Sequence, residues 1–379
     1  MAPIGHFKDY RLGLIWGNAG APATGGTEVT KVFDKTTSID ALGSFELPVE
    51  SYTPFVINQN NRRLNRQTSH RHRTLRDTWN DTKGSIPGLS ISLPATKELL
   101  DLFLYMGFQR VAEGATTPYV KSYEYPNKME TTFANGKYPE FNNDEGAFCG
   151  FVINYSTGHL SSSAQMIMTC VPTKVTFSCF ADQHDGQLWI DADFIGRYYE
   201  RGLTYSGTMT ACSQEDTGLY HINDVTHAKI LNVGTNGNAS CPISGFSFTI
   251  DTGLKFVPFG GVGGGSKDII MNGPNTSGFV DFMINDTSAG LVSAALAQQI
   301  VQSTGLENYI AWTATPAATD GDLSFNWVAQ VTDFTPIGNE ETKFRVAFDC
   351  VDTETGLATS STNEDAFIVT FANAIDRGW

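Results

Sequence analysis

Residues 260–268, GGVGGGSKD, combine glycines with a hydroxyl and a lysine, the ingredients of a loop that cradles phosphate. That chemistry needs a fixed order, G-x-x-x-x-G-K-[ST], in which the lysine reaches the outer phosphates and the next hydroxyl reaches magnesium. Here Ser266 precedes Lys267, and Asp268 sets a carboxylate where a second anion would be repelled. A phosphate loop also runs from a strand into a helix. The residues after Lys267, DIIMNGPNTSG, hold two turn signals and no helical run. A nucleotide site is not expected, and the segment reads as a flexible loop between strands.

Other reactive groupings fare similarly. His70 and His72 could offer two imidazoles to a metal, but Arg71 and Arg73 bring positive charge beside them. Asp191 and Asp193 lie two apart on a strand and so share a face. That spacing suits a catalytic pair, and it is equally what a strand with one polar face produces. DQHDG at 182–186 lacks the ligand spacing of a calcium loop and reads as a solvated hairpin turn. Neither the G-x-S-x-G elbow nor H-E-x-x-H occurs. Trp189, Tyr198, Tyr199, Trp312 and Trp327 could form a sugar-binding face, although in β-rich chains such residues more often fill cores or interfaces. The six cysteines (149, 170, 179, 212, 241 and 350) show no two-residue spacing of a zinc or redox site and read as buried free thiols. No catalytic, cofactor-binding or metal-ligating residue is assigned.

Charge narrows the partners. A net charge of −15 opposes tight gripping of a phosphate backbone. It is unevenly spread: NRRLNRQTSHRHRTLR at 61–76 holds six arginines and no acid, so −15 less those six positive charges leaves −21 on the rest. The chain is an acidic body with one basic strip. No apolar run approaches the ~18 residues of a membrane helix. The first seventeen residues lack the apolar core of a signal peptide, which points to folding in the cytoplasm.

The elements that must position these residues are mostly strands. Aromatic and β-branched residues alternate in short runs, and 37 glycines punctuate them. Residues 1–45 read as irregular, and 45–58 as a strand pair or a strand bent at its prolines. Residues 88–93 read as a strand, followed by a helix carrying Leu99, Leu100, Phe103, Leu104 and Met106, with Pro94 suited to its start and Gly107 to its end. Residues 109–150 show no period and read as a long loop or insertion. Residues 164–200 form a hairpin about DQHDGQ. In the second half, 241–259 and 277–286 read as strands, 287–303 as a helix capped by Thr287 or Ser288, and 322–350 as a second hairpin.

The order therefore repeats. Gly88 precedes Leu99 as Gly278 precedes Leu291, and the hairpin segments 174–196 and 328–350 are 23 residues each. The first half carries an excess between helix and hairpin close in size to residues 109–150. Two similar units are expected, 1–205 and 206–379. The basic loop 61–76 and the glycine-rich loop 260–268 occupy equivalent places in them. Residue identity between the halves is very low, so the duplication rests on element order.

This order, carried by GLSISLPATKELLDLFLYMGF and by SGFSFTIDTGLKFVPFGGVGGGSKDIIMNGPNTSGFVDFMIND, resembles the major tail tube proteins of long-tailed bacteriophages. The likeness covers most of the chain as pattern and contains no diagnostic motif. It implies a mainly β fold with a few helices (α+β): two tail-tube β-sandwich units in tandem. Three subunits would then make a pseudo-hexameric ring around a central β-barrel. Most members of that family are single-unit subunits in hexameric rings, and this chain is about twice that size. The resemblance further implies a non-enzymatic virion protein, assembled in the host cytoplasm, whose stacked rings conduct genome ejection. DNA would pass the lumen without specific binding, and the other partners would be tail terminator, tape measure and tail-tip proteins. Under it, Arg62, Arg63, Arg66, Arg71, Arg73, Arg76, Lys267 and Asp268 would meet neighbouring subunits or rings. Other readings are a capsid decoration or baseplate protein, or a carbohydrate-binding β protein.

Overall fold

A computed structural model describes residues 11–16, 44–52, 56–57, 60–63, 78–81, 87–108, 111–113, 119–124, 149–154, 164–211, 220–230, 242–258, 267–271, 275–283, 306–312, 320–337, 343–350 and 367–373. The fold is mainly β, with one α-helix among these residues.

The first strands are β1 (Arg11–Trp16), β2 (Ser44–Glu46), β3 (Ser51–Tyr52), β4 (Val56–Ile57), β5 (Asn60–Arg63), β6 (Thr78–Asp81) and β7 (Pro87–Pro94). Helix α1 (Lys97–Phe108) follows, then β8 (Val111–Glu113), β9 (Tyr119–Glu124) and β10 (Cys149–Asn154). The long hairpin is β11 (Ala164–Phe180) and β12 (Leu188–Leu203), followed by β13 (Met209–Ala211) and β14 (His227–Lys229). The rest are β15 (Ile243–Asp251), β16 (Leu254–Pro258), β17 (Lys267–Met271), β18 (Asn275–Met283), β19 (Leu306–Trp312), β20 (Leu323–Pro336), β21 (Lys343–Cys350) and β22 (Phe367–Asn373). All strands outside the hairpins β5–β6 and β16–β17 belong to one branched sheet.

Its main run is antiparallel. The β3–β4 edge pairs with β7, and the run continues through β12, β11, β15, β18, β21 and β20. Two long strands leave this run and extend other layers. The first part of β11 pairs with β10, which pairs with β1 and then β2. The first part of β20 lies between β19 and β22. Bulges mark both departures, between Pro172 and Lys174 and between Val331 and Asp333. A bulge bends and twists a strand, which lets one strand serve two layers.

Strand alternation explains the layering. In β7, Leu89, Ile91 and Leu93 are buried, while Ser90 and Ser92 face the other way. Thr96 caps α1, accepting the Leu99 amide on Oγ1 at 3.3 Å. Pro94 therefore closes the strand instead of opening the helix, and Gly107 lies within the last turn. The helix is buried all round, polar Asp101 included, as expected of a helix sealed between layers. Asp101 Oδ2 lies 3.2 Å from Lys121 Nζ of β9 with both side chains fully buried, and the Tyr123 hydroxyl also donates to Asp101.

The core is aromatic. Phe248 packs edge-on against Trp327 with centroids 4.8 Å apart and stacks on Phe325 at 5.2 Å. Trp312 and Trp327 lie in this core, and Trp189 is buried beside His184. The thiols of Cys149, Cys170 and Cys179 are buried and unpaired, and that of Cys350 is half-buried and unpaired. Burial pushes the Cys179 thiol up to about 12 and raises the other three as well.

Two segments differ from the sequence reading. Residues 109–150 contain β8, β9 and the start of β10, and residues 1–45 contain β1 and the start of β2. In β9 the fully buried Lys121 breaks the apolar alternation that would have marked the strand. The expected helix at 287–303 lies outside the described residues.

Candidate functional site: a polar sheet face with two edges

The main run of strands has two different faces. On one, Leu93, Ile190, Phe177, Phe248, Gly278, Phe348 and Val331 stand in cross-strand register, and all the side chains are buried. Gly278 fits here because a Cβ would lie 2.5 Å from the Ser247 carbonyl and 3.1 Å from both the Phe248 and Phe348 rings.

On the other face an unbroken polar row crosses seven strands. It runs Ser92, Asp191, Thr176, Thr249, Ser277, Asp349 and Gln330. Two neighbouring pairs hydrogen-bond along the row. The Ser92 hydroxyl donates to Asp191 at 2.5 Å and accepts from Trp189 Nε1 at 2.7 Å. Thr176 and Thr249 bring their hydroxyls to 3.1 Å. In the neighbouring rows Ser90 donates to Asp193 at 2.5 Å. Arg345 makes a fork to Asp281, Nε to Oδ1 at 2.7 Å and a terminal nitrogen to Oδ2 at 2.8 Å, while its guanidinium lies 3.8 Å above the Phe279 ring. That fork raises the Arg345 pKa, against the lowering that loss of hydration brings. On this face the carboxylates of Asp191, Asp193, Asp251, Asp281 and Asp349 outnumber the cations of Lys174, Lys343 and Arg345.

Asp191 and Asp193 do share a face, each held by a serine of β7. Among the described residues no group of three His, Cys, Asp or Glu side chains could hold a metal ion. No helix among them is long and apolar enough to cross a membrane.

The assembly residues named from sequence lie on the two short hairpins. Arg62 and Arg63 are in β5, opposite Trp79 and Thr78. Lys267 and Asp268 are in β17, opposite Pro258 and Val257. Residues 260–266 thus join two strands, not a strand and a helix. Arg66, Arg71, Arg73, Arg76, His70 and His72 lie outside the described residues. Sequence reading missed the polar row, because alternation within a strand does not say which strands stand side by side.

No protein-family model matches the chain, and no curated protein matches it.

Proposed function

We propose that the chain is a structural subunit of a bacteriophage tail tube, polymerising into stacked rings whose shared β-barrel conducts the genome. One observation carries the reading: a polar row crosses a wide sheet whose one face carries more carboxylates than cations and whose other face is buried against the core. Such a sheet suits the wall of an aqueous channel. Its excess of carboxylates would repel the DNA phosphates and keep passing DNA from sticking.

The pairing pattern supports two units in tandem. Strands β15, β18, β21 and β20 stand to one another as the β3–β4 edge, β7, β12 and β11 do. Each set holds a two-stranded hairpin between its first two members, β5–β6 in one and β16–β17 in the other. The basic strip begins in β5 and the glycine-rich segment ends in β17, so each spans the connection between the paired strands of its hairpin. Each long strand begins against a partner, β10 for β11 and β19 for β20, and each carries its bulge at the crossover. Through these registers Gly88 corresponds to Ser277, one residue from the Gly278 suggested by spacing.

Three subunits would give a pseudo-hexameric ring, with tail terminator, tape measure and tail-tip proteins as further partners. Negative-stain microscopy of the purified chain tests this. Stacked rings or tubes with a central channel are expected. Isolated monomers that bind glycans would replace the reading with a carbohydrate-binding one.

A further inference from the structure

We infer that the outer edge of β20 receives the β3–β4 edge of a second copy of this chain, and that Asp333 guards that edge until it does. The inference rests on the tube reading and names the joint within it.

The chain contains a worked example of such a joint. Residues 174–180 of β11 pair on one side with β12 and on the other with β15, in the register Val175 to Ile250 and Thr176 to Thr249. Residues 330–336 of β20 pair with β21 on one side, and among the described residues no strand covers the other. At the opposite end of the run, β3 and β4 pair with β7, and among the described residues nothing pairs with their outer side. The sheet therefore ends in one edge of the β11 kind and one of the β15 kind. Two such edges on one chain fit each other between copies, head to tail, and head-to-tail contacts close into rings when the rotation allows.

The bulges set the register. Lys174 follows the bulge in β11 as Asp333 follows it in β20, so Phe334 and Thr335 correspond to Val175 and Thr176. Val56 lies opposite Gly88 and Ile57 opposite Pro87, the places taken in the second set by Thr249 and Ile250. Phe334 is therefore to meet Ile57 of the second copy, and Thr335 is to meet Val56.

The free edge is protected in a way the internal joint is not. Ile337 donates its amide to Lys343 at 2.9 Å, so alternation turns the backbone of Phe334 and of Pro336 outward. The Phe334 amide is taken by the carboxylate of Asp333 at 2.8 Å, and Pro336 has no amide hydrogen. Charge and proline are the usual means of stopping an edge from pairing indiscriminately. Here one donor is held reversibly, and docking would exchange the Asp333 carboxylate for the carbonyl of Ile57.

The test is a pair of cysteines in the full chain, Thr335→Cys with Val56→Cys. Thr176 and Thr249, at the corresponding positions, have their hydroxyls 3.1 Å apart, so facing cysteines there are close enough to oxidise. Oxidised assemblies should give disulfide-linked oligomers ending at the ring's copy number. Thr335→Cys with Ser51→Cys, out of register, should not. Rings without the in-register disulfide, or with equal cross-linking in both pairs, overturn the joint and leave the tube reading standing. Absence of rings from the unmodified chain defeats the tube reading and the joint with it. Hydrogen exchange on that unmodified chain gives an independent measure: residues 51–57 and 330–336 should gain protection on assembly, and no gain overturns the joint. Asp333→Ala should speed assembly several-fold, and an unchanged or slower rate overturns the guard.

Discussion

Gly278 illustrates how much one missing side chain decides. Its neighbours leave no room for a methyl, since one would press on the Ser247 carbonyl and on two phenyl rings. Gly278→Ala should cost about 1–3 kcal/mol through overpacking, measurable by chemical denaturation. Glu46 makes a different kind of contact. The Arg11 guanidinium binds its carboxylate and holds its pKa below the ordinary value of 4.5. A depressed carboxylate contributes stability above its unfolded pKa and loses it as pH falls through the folded value. Glu46→Gln should therefore be less stable than the parent near neutrality, and the gap should close below about pH 4.5. Of the six thiols the sequence suggests are buried, those of Cys149, Cys170 and Cys179 are, while Cys212 and Cys241 lie outside the described residues. The raised pKa values of the three make them poor nucleophiles. Cys149, Cys170 and Cys179 should resist alkylation in the folded chain at pH 8 and react once denaturant is added, as read by mass spectrometry of each peptide.

At the scale of elements, α1 and β9 are tied by a fully buried pair. Lys121→Met should destabilise by about 3–5 kcal/mol, because Asp101 is left charged in an apolar site. Adding Asp101→Leu should restore much of the loss, and a denaturation series on the two variants checks both statements. The same pair shows why β9 was not visible in the sequence. Lysine reads as an exposed residue, and only the tertiary partner from a helix twenty positions earlier makes its burial tolerable. By contrast β7, α1 and the two hairpins followed directly from local period, since their apolar residues face one core. The polar face is in between. Its residues were readable as alternation strand by strand, but the row they form needs pairing partners far apart in sequence, such as Thr176 with Thr249. The two edges that end the sheet were not legible at all, because an edge is defined by what fails to pair.

At the scale of the whole molecule, one segment holds six arginines and no acid in an otherwise acidic chain. If that strip contacts a neighbouring copy, Arg62, Arg63 and Arg66 changed together to Glu should reduce polymerisation, and added salt should weaken assembly of the parent chain. Electron microscopy with a sedimentation assay reads both, and unchanged tubes would remove the strip from the interface. The two units suggested by the sequence are joined more closely than two beads on a string. Strand β11 pairs with β15, and β9 pairs with β22, which lies near the end of the chain.

That last pairing bears on synthesis. A ribosome releases β9 long before β22 exists, so the nascent first half carries an exposed strand edge, with Lys121 in that strand, for the time needed to make some 240 further residues. Pairings this distant fold slowly and leave intermediates prone to association. A fragment of residues 1–205 should accordingly aggregate when expressed alone and be rescued by co-expression of 206–379. In the cell, the window between the two events is where a chaperone would have to act.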